Sequence, residues 1–171
     1  MYESHPIVNS LILHHLGHGD IHVKPDIARF DGPTVHFKDG TRQDYDMVLA
    51  ATGYTLHYPF IAREHLNWKG MAPRLHLNIF APCWRRLAVL GMIEASGIGW
   101  QGRYEQAELV ARYFQALDAG TPAAQAFTAA VQGPPPDLSG GFKYLKLERM
   151  AYYVHKDTYR NAVRAAAAAL A

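Results

Sequence analysis

The chain has 171 residues, 49% of them hydrophobic and 12% aromatic, with a formal net charge of +2. That length and apolar content suffice for one real core, and so small a charge sets up no strong field for nucleic acid or an anionic membrane. A lone cysteine, Cys83, excludes an internal disulfide and a cysteine-rich metal site, and no apolar run approaches membrane-spanning length. The first residues also lack the basic-then-apolar order of a signal peptide, which gives the expectation of a cytoplasmic protein.

In chain order, apolar residues at 7, 8, 11, 12, 13 and 16 followed by Gly17 predict a short helix over 7–16 with a glycine stop. Ile21–Lys24, Ile27–Phe30 and Thr34–Phe37 alternate apolar with polar residues and are separated by Pro25 and Gly32-Pro33, the pattern of a small antiparallel meander. Asp39-Gly40 then reads as a tight hairpin turn. Met47–Ala51 is an uninterrupted apolar run halted by Thr52-Gly53, predicting a strand buried on both faces that ends where a backbone must come close to something.

From Tyr54 to Pro82, prolines and glycines interrupt every periodic run, so an irregular connection with one helical turn around Ala62–Leu66 is expected. Leu87–Met92 predicts a second buried strand. From about Tyr104, residues 109, 110, 113, 114 and 117 fall on one helix face that ends at Gly120. Thr121-Pro122 supplies an N-cap and a first-turn proline for a further helix with Ala123, Ala126, Phe127, Ala130 and Val131 inward and Gly133 closing it. After the stiff Pro134-Pro135-Pro136, a basic aromatic segment leads to a final alanine-rich helix over 158–170. The division expected is a main body over 1–133 and a linker with helical tail over 134–171.

Several patterns invite chemistry and are better explained otherwise. Gly97-Ile-Gly-Trp-Gln-Gly102 spells a dinucleotide fingerprint, yet five residues separate it from the strand end at Gly91, and no second strand ending in an acid follows. His14, His15, His18 and His22 hold metal-ligand spacing, but Gly17 is expected to break the helix between His14 and His18, so no metal site is assigned. The basic and aromatic residues between Lys143 and Arg164 are diluted by Glu148 and Asp157 and read as a packed tail with a solvated face rather than a nucleic-acid surface. Cys83 reads as a small packed residue. No serine–histidine–aspartate set or carboxylate pair stands out, so no catalytic residue is assigned.

The hairpin and following strand, Val35 to Gly40, Asp46 to Tyr54 with its Ala-Thr-Gly-Tyr ending, and then Pro59-Phe60, resemble the flavin-containing monooxygenase family. Leu77–Pro82, Leu87–Gly91 and Glu105–Tyr113 resemble that family's closing strand and the helix that starts near its flavin. The resemblance implies an α/β fold, part of a Rossmann-like FAD-binding domain. It also implies FAD and NADPH as cofactors, and O₂ and a small nitrogen, sulfur or ketone substrate as reactants, with the cofactor carrying the hard chemistry. It places Thr52 and Gly53 beside the FAD phosphates or ribose, and Gly99, Trp100 and Gln106 toward the flavin edge. Family members open with glycine-rich nucleotide-binding units that do not precede Met1 here. The chain therefore reads as a C-terminal portion, inactive alone and open to self-association. A piece of a flavin-dependent pyridine-nucleotide reductase and a stand-alone non-catalytic interaction domain remain the alternatives.

Overall fold

A computed structural model describes residues 10–143 and 151–171. They fall into two compact units, one formed by Pro6–Tyr54 and the other chiefly by Thr55–Ala171.

In the first unit, α1 runs over Leu11–His18 and stops at Gly19, whose φ of +80° takes the left-handed cap. The expected stop at Gly17 is thus displaced by two residues, and residues 7–9 lie outside the described part. Asp20 accepts a 2.9 Å hydrogen bond from His15 Nδ1, tying down the turn that follows the cap. Strands β1 (Ile27–Asp31), β2 (Thr34–Phe37) and β3 (Arg42–Asp44) form an antiparallel sheet in the order β1-β2-β3. Ile21–Lys24 does not join it. The β2–β3 hairpin closes as expected: Gly40 has φ +85°, and Asp39 Oδ1 accepts from Thr41 N at 2.9 Å and Thr41 Oγ1 at 2.7 Å. Val35 and Phe37 supply the buried face, while the other side chains of β2 are only half-buried.

The strand expected at Met47–Ala51 is absent. The segment has no ladder partners, and Met47 and Leu49 are 81% and 85% exposed. An apolar run becomes a buried strand only when neighbours on both sides satisfy its backbone and cover its side chains.

The second unit begins with an irregular stretch containing the expected turn, a 3₁₀ helix at Arg63–Leu66, and a two-residue ribbon of β4 (Trp68–Lys69) and β5 (Ala72–Pro73). Leu87–Met92 is also not a strand: it is held by an isolated bridge from Ala88 to Phe80 and by Val89 N donating to Ile79 O at 2.8 Å. With one neighbour rather than two, it forms a bridge and not a ladder. Among the described residues, three helices follow: α2 (Gly99–Asp118), α3 (Pro122–Gln132) and α4 (Lys156–Ala169). Thr121 caps α3 by accepting from Ala124 N at 3.1 Å, as its sequence predicts. The buried face of α3 is rotated from expectation: Ala124 and Thr128 are inside and Ala126 and Ala130 outside, because Thr128 passes its hydroxyl proton to Ala124 O at 2.7 Å and accepts from Tyr113 Oη at 2.7 Å.

Helix α2 packs on α3 and α4. Their core centres on Phe80, Tyr113 and Phe127, whose ring centroids lie 4.9–5.3 Å apart in edge-to-face pairs. Each pair adds about 1 kcal/mol beyond the area it buries. Tyr159, Val163 and Leu170 bring α4 into the same core. Much of the basic aromatic segment, residues 144–150, lies outside the described part.

Candidate functional site

Thr52 and Gly53 lie in the first unit, on exposed backbone at the end of the Met47–Ala51 run. Gly53 has φ +83°, and no heavy atom lies within 4 Å of where a Cβ would stand. The glycine is therefore required by backbone conformation, and the space beside it is open to a ligand.

Gly99, Trp100 and Gln106 share α2 in the second unit. This helix starts five residues earlier than its apolar periodicity suggests: Gly97, with φ +75°, lies in the turn before it, and Gly99, with φ +52°, opens it in the left-handed conformation. Gly102 is a buried helical residue whose Cβ would sit 2.4 Å from Ile98 Cγ1. The glycine allows the close approach of Ile98, so this position of the dinucleotide-like spelling is explained by packing. Trp100 is 83% exposed on the first turn, with the Arg103 guanidinium 5.6 Å from its ring centroid. Arg103 Nη1 also donates to Gly99 O at 2.8 Å.

Gln106 is fully buried and both ends of its amide are engaged. Its Oε1 accepts from Gly91 N at 2.9 Å, and its Nε2 donates to Tyr159 Oη at 2.6 Å, which in turn donates to Leu77 O at 2.9 Å. This chain of bonds fixes the amide orientation and joins three distant segments. Burial pushes the Tyr159 phenol well above its ordinary range, keeping it neutral as the relay requires.

The polar group that the sequence reading missed is Glu105. It is buried against α4, where Arg160 and Arg164 both reach it, and hydrogen bonds from Arg160 foremost hold its carboxyl down to about 2. The signal was present: positions 102, 105, 106, 109, 113 and 116 form one helical face, and an acid within such a face requires cationic partners. A cavity of about 440 Å³ opens between the loop 73–78, the end of α3 and residues 151–154, with Leu75, His76, Val131 and Val154 in its wall. His76 Nδ1 is enclosed without a hydrogen-bond partner, and burial holds its imidazole below the usual range.

Among the described residues no three histidine, cysteine or acidic side chains converge as a metal site, and no helix is long and apolar enough to cross a membrane. His14 and His18 nevertheless share one helix face, because α1 continues through Gly17.

A family model described as flavin-binding monooxygenase-like matches residues 1–135, and the chain belongs to this family. It is 40% identical over 73 residues to trimethylamine monooxygenase of Methylocella silvestris, covering 41% of this chain and 16% of that protein. It is 32% identical over 96 residues to flavin-containing monooxygenase 5 of Cavia porcellus, covering 54% and 18%. With dimethylaniline monooxygenase (N-oxide-forming) 2 of Rattus norvegicus it shares 29% identity over 115 residues, covering 66% and 22%. The chain thus spans about a fifth or less of the length of these relatives. No solved structure matches it.

Proposed function

We propose that this chain forms the C-terminal portion of a flavin-dependent monooxygenase in which FAD, NADPH and O₂ serve to oxygenate a small soft nitrogen or sulfur nucleophile or a ketone. Its fold there is part of a Rossmann-like FAD domain, with Met47–Ala51 adding a strand to a parallel sheet. The observation that carries the reading is Gly53: a positive-φ glycine with open space at its Cβ position, closing an uncovered apolar run. A backbone so bared accepts the close approach of a phosphate or ribose. The flavin, when bound, supplies the redox and oxygen chemistry.

The residues of this chain position and shield. Thr52 and Gly53 present backbone to FAD, Gly99 and Trp100 face the flavin edge from the first turn of α2, and Gln106 acts from beneath by holding Gly91. The family's glycine-rich phosphate-binding turns are not among this chain's motifs, so the chain by itself should be colourless and should not oxidise NADPH when FAD is added.

The test joins this chain to flavin- and NADPH-binding portions of a relative and measures FAD per folded protein. Gly53→Val adds both bulk and left-handed strain, so Gly53→Asn, which tolerates positive φ, separates the two. Loss of FAD from a folded Gly53→Asn protein is the expected result. Full FAD occupancy in that variant would make Gly53 a turn residue only.

A further inference from the structure

We propose that His14 and His18 form a two-imidazole site on α1 for a borderline divalent transition metal, with Cu²⁺ held more tightly than Zn²⁺. The sequence alone sets them aside because Gly17 stands between them. The structure carries the helix through Gly17 to a cap at Gly19, which puts residues 14 and 18 one above the other on an exposed face. Their ring centroids are 4.1 Å apart with planes inclined by 36°. Two metal–nitrogen bonds of about 2 Å require ligand nitrogens roughly 3 Å apart, a separation compatible with rings this close.

The tautomer favours binding. His18 Nδ1 lies 2.9 Å from His14 O, and a carbonyl only accepts, so the ring proton is on Nδ1 and the Nε2 lone pair is left for a metal. A histidine ligand whose other nitrogen donates to a backbone carbonyl is the arrangement that orients metal-bound imidazoles. His15 Nδ1 is likewise committed, to Asp20 Oδ2 at 2.9 Å, but its ring meets His14 edge-on at 5.4 Å rather than stacking beside it. The site therefore has two protein ligands, with water completing the shell. Nitrogen donors and an open coordination sphere favour Cu²⁺ by the usual order of divalent affinities, and they discriminate against Ca²⁺ and Mg²⁺, which take oxygen.

The experiment titrates CuCl₂, ZnCl₂ and MgCl₂ separately into the full chain without a polyhistidine tag, following heat and, for copper, the visible absorption band. One Cu²⁺ per chain, weaker Zn²⁺ and no Mg²⁺ binding are expected. His14→Ala and His18→Ala should each weaken Cu²⁺ by about a hundredfold, the loss expected when a second tethered ligand is removed. His15→Ala should change it less than about threefold. A Leu13→His, His18→Ala double variant keeps the histidine count but places the second ring at an exposed neighbouring position that does not face His14, and should bind as weakly as His18→Ala. Unchanged affinity in either single variant, an equal loss in His15→Ala, or rescue by the double variant would overturn the assignment.

Discussion

Arg160 grips Glu105 with two nitrogens, Nη2 to Oε1 at 2.7 Å and Nε to Oε2 at 3.2 Å, and Arg164 Nη2 adds a third contact to Oε1 at 2.7 Å. The fork clamps α4 onto α2 and leaves only 8% of the Glu105 side chain exposed.

Because the folded carboxyl titrates at about 2 rather than 4.5, its contribution is complete above about pH 5 and is lost as pH falls toward 2. Glu105→Gln should therefore cost about 2 kcal/mol at pH 7 and progressively less in acid. Urea denaturation at a series of pH values checks this; an equal deficit at pH 7 and pH 2.5 would show that the ion pair is not the cause.

Tyr159→Phe removes the hydroxyl that stands between Gln106 Nε2 and Leu77 O, leaving two buried groups without a partner. A loss of about 2 kcal/mol is expected. In a double-mutant cycle, Gln106→Leu combined with Tyr159→Phe should cost less than the sum of the single changes, since the two share one network. Strict additivity would mean that the relay does not act as a unit.

His76 contributes in a different pH window. Its folded imidazole is harder to protonate than the free one, so the unfolded chain binds the proton first. Stability from this residue is complete above about pH 6.5 and declines as pH falls below it. His76→Phe, which also removes the unpaired Nδ1, should match or exceed the parent at pH 8, with its advantage growing toward pH 5. Thermal melts at the two pH values decide the matter, and a pH-independent difference would speak against the imidazole.

Met47 and Leu49 leave an uncovered apolar run on backbone without ladder partners, which favours association between copies. Light scattering after size exclusion should show oligomers that Met47→Lys with Leu49→Asp reduces to monomers. In the joined protein of the FAD test, the same pair should lower flavin content. A monodisperse parent with a sharp melt at high temperature would mean that the run needs no partner.

Local order was legible in the sequence wherever near neighbours decide it. The Asp39-Gly40 hairpin, the Thr121-Pro122 cap, the turn before Leu66 and the body of α2 rest on hydrogen bonds and side-chain periodicity within a few residues. The misread elements depend on distant partners. Met47–Ala51 and Leu87–Met92 have strand composition without flanking strands, and the inward face of α3 turns on a hydroxyl of α2.

The sequence by itself determined the family: its spaced motifs, Val35 to Gly40 and Asp46 to Tyr54, carry that signal irrespective of what covers them. It also determined that Gly53 ends an apolar run. Only the tertiary structure decided that Gln106 is tied to Tyr159 and that Glu105 is clamped by two arginines. The physical reason is range. A turn or cap is closed by atoms a few residues apart, whereas a buried polar group is explained only by the partner, 53 to 59 residues away in these cases, that makes its burial tolerable.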